Sequence, residues 1–117
     1  ILQVHIDTAS GVVNDLQAIR QAIDDADHPA LLVVDAIASL GVAPLEMDSW
    51  GVDVTLSASQ KGLMMTPGLG FIAANNKAIE ISKSAKLKTG YWDWNDRIEG
   101  PHYKKYCGTA LCIHSKV

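Results

Sequence analysis

The sequence predicts an α/β fold, and three observations carry that prediction. Residues 30–34 are a continuous apolar run between turn-forming residues, the pattern of a strand covered on both faces as in parallel sheets. Ahead of it, Leu16, Ile19, Ile23 and Ala26 recur at helical spacing. The order of segments along the chain, strand, helix, strand, turn, strand, helix, is that of helices packed on a sheet.

Residues 1–6 alternate apolar and polar side chains, which predicts a short strand, and residues 7–11 form a small-residue loop. Asn14 is expected to cap the first helix, which runs to about Ala26 and ends at His28-Pro29. The apolar run 30–34 has Asp35 at its end. After a loop over 41–50, a further strand is predicted over 52–56, leading into the polar turn Ser57-Ala58-Ser59-Gln60-Lys61. Residues 69–74 read as the next strand and 75–87 as a helix, with Ala78, Ile79, Ile81 and Ala85 on its apolar side. From Lys88 onward regularity fades. One clear crossover helix is visible in a sheet that is expected to be larger.

Net charge is −3 and no Lys/Arg block occurs, which argues against nucleic acid or an anionic membrane as partner. No apolar run approaches the ~20 residues needed to span a bilayer, and the first residues lack the pattern of a signal peptide. The chain is expected to be soluble and cytoplasmic. Cys107 and Cys112 lack companion Cys or His pairs at zinc spacing, so no metal site is expected and reduced thiols are the default. Because the chain opens with Ile1 inside a strand-like stretch, the start of the gene product is expected upstream.

Two residues stand out chemically. A carboxylate at the end of an apolar strand needs a cationic or hydrogen-bonding partner, so Asp35 either caps the strand end or binds a ligand at the carboxyl edge of the sheet. Lys61 follows a strand, among small and polar residues. It is either a solvated surface lysine or an enclosed amine of lowered basicity, able to act as a nucleophile toward a carbonyl. Thr66-Pro67-Gly68-Leu69-Gly70 lacks the remaining elements of a dinucleotide or Walker phosphate loop. Met64 and Met65 read as gap-filling apolar residues, and Trp92 and Trp94 as packing residues unless they line a pocket.

The order of motifs is more specific than any of them alone. Residues 33–41 (Val-Val-Asp-Ala-Ile-Ala-Ser-Leu-Gly), Met47-Asp48, Gly51-Val52-Asp53, residues 57–63 (Ser-Ala-Ser-Gln-Lys-Gly-Leu) and Pro67-Gly68 together resemble the class V aminotransferases. The likeness is strongest to serine-glyoxylate and alanine-glyoxylate enzymes. It covers residues 4–109, nearly the whole chain.

The resemblance implies part of the large domain of a fold type I transferase that binds pyridoxal 5′-phosphate, with a mostly parallel sheet and flanking helices. The partial domain would occupy 1–109, and 110–117 would be an atypical tail. Asp35 would pair with the cofactor's pyridine nitrogen and Lys61 would form the Schiff base and shuttle a proton. Gln60 is implied as a phosphate contact, Ile37 as a contact to one ring face, and Thr8 as a partner near the ring hydroxyl, in a loop framed by His5 and Gly11. Tyr106 and Thr109 resemble a pair that reaches the phosphate of a neighbouring subunit, implying a homodimer.

The implied activity is transfer of an amino group from serine or alanine to a 2-oxo acid such as glyoxylate. Two rivals stand beside it: a catalytically silent fragment that serves as a dimerisation piece, and a lyase or cysteine desulfurase on the same scaffold. Gln60 favours the transaminase, because the desulfurases of this fold have His immediately before the lysine. The family clamps the substrate carboxylate with an arginine, which neither Arg20 nor Arg97 matches.

Overall fold

The computed structural model describes residues 1–87, 92–99 and 109–113. Its centre is a five-stranded sheet in the order β1-β2-β3-β4-β5, with β1 at Leu2–Val4, β2 at Val33–Asp35, β3 at Val54–Ala58, β4 at Gly70–Ala74 and β5 at Thr109–Ile113. The pairs β1/β2, β2/β3 and β4/β5 are parallel, whereas β3 and β4 are antiparallel. The mostly parallel sheet therefore carries one reversal, at the turn that bears Lys61.

Helix α1 (Leu16–Asp25) fills the crossover from β1 to β2. Its cap is Asp15, one residue beyond the expected Asn14: Asp15 Oδ1 accepts the Ala18 N–H at 2.9 Å. Both residues are good cap formers. Asn14 is drawn elsewhere, since its side-chain amide donates to the Val4 carbonyl and its backbone N–H to His5. Leu16 and Ile23 are buried against Leu32, Val34, Ala36 and Val52.

The crossover from β2 to β3 has turns in place of a helix. Gly41, Pro44 and Gly51 interrupt helical propensity there, and Leu40, Leu45, Met47 and Trp50 still cover the same sheet face as α1. Alternate residues of the strands point to the opposite face. There Leu31, Val33, Val54, Leu56, Ile72 and Ala74 meet Ala78 and Ile79 of α2 (Asn76–Lys83), and Trp94 of α3 (Trp94–Glu99).

Several boundaries differ from expectation. The first strand is shorter than residues 1–6 and lies at the sheet edge, where Leu2 is 83% exposed. β2 begins and ends later than the apolar run, so Asp35 lies inside the ladder. β3 is likewise displaced toward the C-terminus, and α2 stops at Lys83, with Ser84 as its C-cap. Beyond Lys88, where no regular element was expected, α3 and β5 occur, and β5 runs across the Thr109/Ala110 boundary. Cys107 lies outside the described residues.

One carboxylate joins the layers. Asp53 is 3% exposed and precedes β3. Its Oδ2 accepts the Leu32 N–H at 2.8 Å, and its Oδ1 accepts the Asn75 side-chain amide at 2.9 Å. Arg20 of α1 approaches at 3.5 Å and Lys77 of α2 at 3.9 Å. Arg20 also pairs with the exposed Asp24 at 2.6 Å. Removing a buried partner leaves the others desolvated and unmatched, so Asp53→Ala is expected to lose about 3 kcal/mol of stability. Asp24→Ala is expected to lose less than about 1 kcal/mol. Urea unfolding of both variants checks this, and equal losses would show that Asp53 is not the joint.

Candidate active site

The parallel strands β1, β2 and β3 end on the same side of the sheet, with Val4, Asp35 and Leu56 in register across them. Three loops leave from there: residues 5–13, residues 36–53, and the connection from β3 to β4. Of the candidate residues among the described ones, Thr8, Asp35, Ile37, Gln60 and Lys61 belong to these strand ends or loops, and Thr109 does not. Open α/β sheets hold ligands at that edge.

Asp35 is half-buried and on the face shared with Val4 and Leu56. Its Oδ1 accepts the Ile37 N–H at 2.9 Å, closing a short turn that directs the chain away from the strand. Among the described residues Oδ2 has no hydrogen bond and no ion pair. The expectation that Asp35 accepts a backbone N–H at the strand end is met by one oxygen, and the other oxygen is available to a donor. Ile37 is half-buried next to it.

The loop after β1 owes its shape to Asp7. The Asp7 carboxylate accepts N–H groups from Ser10 at 3.1 Å and Ala9 at 2.7 Å, and its carbonyl accepts from Gly11 at 2.8 Å. These bonds to Ser10 and Ala9 hold the Asp7 pKa below its ordinary 3.8. Thr8, at the head of this turn, is exposed. Sequence reading passed over Asp7, although an Asp followed by small residues is the mark of such a turn.

Gln60 and Lys61 are exposed, so of the two readings of Lys61 the structure shows the solvated lysine and not the enclosed amine. The apolar residues after Lys61 face solvent: Met64 is 91% exposed, and Leu63 and Met65 lie open as well, against the expectation that the methionines fill gaps. Met64 takes a left-handed backbone, φ 54°, at a cost of about 1–2 kcal/mol for a residue with a Cβ. The Lys61 loop also abuts the loop that follows Asp35. Gly41, at φ 84°, would set a Cβ tightly against the Gly62 carbonyl, and a Cβ on Gly62 would overlap the Leu40 carbonyl. The Asp35 and Lys61 segments are thus held together backbone to backbone.

Thr109 opens β5, and Tyr106 lies outside the described residues. Trp94 packs under the sheet, whereas Trp92 is exposed at the rim of an apolar cavity of about 330 Å³ behind α2, away from the strand ends. Among the described residues no group of His, Cys, Asp and Glu could hold a metal, and no helix is long and apolar enough to cross a membrane.

The chain belongs to the aminotransferase class-V family, which it matches over residues 1–108. Its relatives include the serine-glyoxylate aminotransferase of Arabidopsis thaliana, 46% identical over 82% of this chain and 24% of that protein. The L-aspartate-glyoxylate aminotransferase of Paracoccus denitrificans is 43% identical over 86% of this chain and 25% of that protein. Among solved structures, the alanine-glyoxylate aminotransferase of a Nostoc species superposes with a TM-score of 0.73 at 31% identity, covering 93% of this chain and 29% of that one. The chain spans about a quarter of the length of the relatives it matches.

Behind the site, His5 is 3% exposed, edge-on to Trp50 with ring centroids 5.8 Å apart, and its Nδ1 has no partner among the described residues. Burial lowers its pKa below the ordinary 6.5. The unfolded chain therefore takes up a proton that the folded chain refuses. Stability from this source is complete above pH 6.5 and declines as pH drops from 6.5 toward the folded-state value. Urea midpoints should fall between neutral and mildly acidic pH, and His5→Phe should flatten that decline. An unchanged slope in the variant would assign the pH dependence to other groups.

Proposed function

We propose that this chain supplies the cofactor-holding part of a pyridoxal 5′-phosphate transaminase that moves an amino group from serine or alanine to a 2-oxo acid such as glyoxylate. The observation that carries this reading is the convergence of Asp35, a carboxylate with a spare oxygen, and Lys61, a lysine with no partner among the described residues, at the carboxyl ends of adjacent parallel strands. The names of the relatives support the acceptor, since serine, aspartate and alanine enzymes alike are named for glyoxylate.

The donor set fits the cofactor. When bound, pyridoxal phosphate supplies an electron sink that acidifies the Cα–H bond of the amino acid. Asp35 Oδ2 would accept from the ring N–H and favour its protonated form. Lys61 Nζ would hold the cofactor and move a proton at the substrate Cα. Thr8 Oγ1 would serve the ring hydroxyl, Ile37 would cover a ring face and Gln60 would donate to the phosphate. In the homodimer that the reading requires, Tyr106 and Thr109 serve the phosphate of the other subunit. The exposure of Val42, Leu63, Met64, Met65 and Leu69 around Lys61 supports a second copy as the cover of this rim.

A second reading has its own support. The Arg20 side chain is 13% exposed and engaged by Asp24 and Asp53 at the opposite end of β3 from Lys61, while Arg97 is buried in α3. Neither is free for the substrate carboxylate. On this reading the chain by itself holds the cofactor without turnover.

Titration with pyridoxal phosphate, followed by absorbance and borohydride capture, tests the proposal. Wild type should be captured at Lys61 and Lys61→Ala should not. Asp35→Asn should weaken cofactor binding about tenfold or more, the scale of losing one charge-assisted hydrogen bond. Equal capture by wild type and Lys61→Ala would sink the reading.

A further inference from the structure

We propose that Ser59 is a positioning residue for Lys61, its hydroxyl fixing the loop that presents the lysine; the inference rests on the cofactor-holding role proposed above. Nine residues, 60–68, bulge from the β3/β4 ladder between Ser59 and Leu69, and all but Gly62 are exposed. Ser59 is fully buried at the base of this bulge. Apart from the approach of Gly62 to Leu40 and Val42, what holds the loop is the set of hydrogen bonds at its base.

Four of these bonds converge on Ser59. Its backbone N–H donates to the Leu69 carbonyl at 3.0 Å and its carbonyl accepts from Met65 at 3.0 Å. Its hydroxyl donates to the Thr66 carbonyl at 2.7 Å and accepts from the Leu69 N–H at 3.3 Å. The bond to Leu69 extends the register Ala58↔Gly70 by one step, and the bond from Met65 closes the loop back onto Ser59. The hydroxyl adds a second tie beside the Met65 bond: it joins the returning limb, at Thr66 and Leu69, to a point two residues before Lys61.

The left-handed backbone of Met64 makes this tie consequential. Such a conformation persists where its surroundings over-determine it. Met64 is exposed, and what constrains it is the Met64 N–H bond to the Lys61 carbonyl at 2.9 Å together with the Met65 bond to Ser59. Both bonds are main-chain and outlast the Ser59 hydroxyl, but without it they hold the returning limb alone, stripped of the neighbouring ties at Thr66 and Leu69, so Met64 and with it the Lys61 carbonyl and Cα are held less tightly. Because Thr66 is exposed, water can replace the lost hydroxyl at its carbonyl. Loss of the hydroxyl therefore loosens the loop while leaving the sheet intact.

The test compares full-length Ser59→Ala and Ser59→Thr chains with wild type. Backbone amide exchange, which needs no cofactor, should quicken about tenfold at Met65 and Leu69 in Ser59→Ala, the scale of one lost neutral hydrogen bond, and stay unchanged at Val34. Capture then reads the lysine: its amine adds to the aldehyde carbon, the carbonyl oxygen leaves as water, and borohydride hydride reduces the carbon-nitrogen double bond. In Ser59→Ala the saturating capture rate should fall about tenfold while the half-saturating concentration of pyridoxal phosphate holds, and Ser59→Thr should recover most of the rate.

Unchanged exchange at Met65 and Leu69 would overturn the proposal, as would a capture rate equal to wild type. Loss of protection at Val34 as well would make the hydroxyl a folding determinant, which also overturns it. If wild type itself is not captured, the cofactor reading fails, and the exchange at Met65 and Leu69 still decides whether Ser59 orders the loop.

Discussion

The rest of the structure depends on the burial of Asp53. A lone carboxylate in the interior is unfavourable unless hydrogen bonds and opposite charge replace its water, and Asp53 draws those partners from every layer. It holds the Leu32 N–H just before β2, Arg20 on the α1 face, and Asn75 and Lys77 at the start of α2 on the other face. Asn75 carries the constraint further. Its backbone N–H bonds to the Asp53 carbonyl, while its side-chain oxygen caps α2 through the Ala78 N–H at 2.9 Å. The end of β4 is thereby fixed beside the beginning of β3, and with it the antiparallel register whose other end is the lysine loop.

The two ends of β3 are built on opposite terms. At the Asp53 end, charge is matched and desolvated. At the Lys61 end, a carboxylate oxygen and a lysine amine are unmatched among the described residues, and a methionine holds a strained backbone in the open. Local consistency is broken where a ligand would complete it.

That contrast also explains what the sequence revealed. The α1 spacing of Leu16, Ile19 and Ile23, the apolar run into Asp35, and the strand over 70–74 were legible because each is a local pattern with one reading. The choice of Asp15 over Asn14 as cap was not, since both side chains can cap and a tertiary bond from Asn14 to Val4 decides between them. The strand at Thr109–Ile113 is visible only through its pairing with β4. For the site, residue types marked Asp35 and Lys61, but the exposure of Lys61 depends on which way Leu63, Met64 and Met65 turn, and a flexible apolar triplet does not encode that. Asp53 had a signal that went unused: a charged residue between Val52 and Val54 must be buried with its partners or break the strand.

The spacing between Asp35 and Lys61 is set by main chain and not by side-chain packing. Gly41 and Gly62 let two loops touch chiefly through backbone atoms, and such a contact has few rotamers with which to adjust. A lysine carries four rotatable side-chain bonds, so its amine can miss a target that its Cα is well placed to meet. Reaction with a bound aldehyde requires atoms within about 3–3.5 Å in the right orientation. The rigid glycine contact brings the two segments to the same place, and the hydrogen-bonded base of the lysine loop then narrows where that flexible side chain begins.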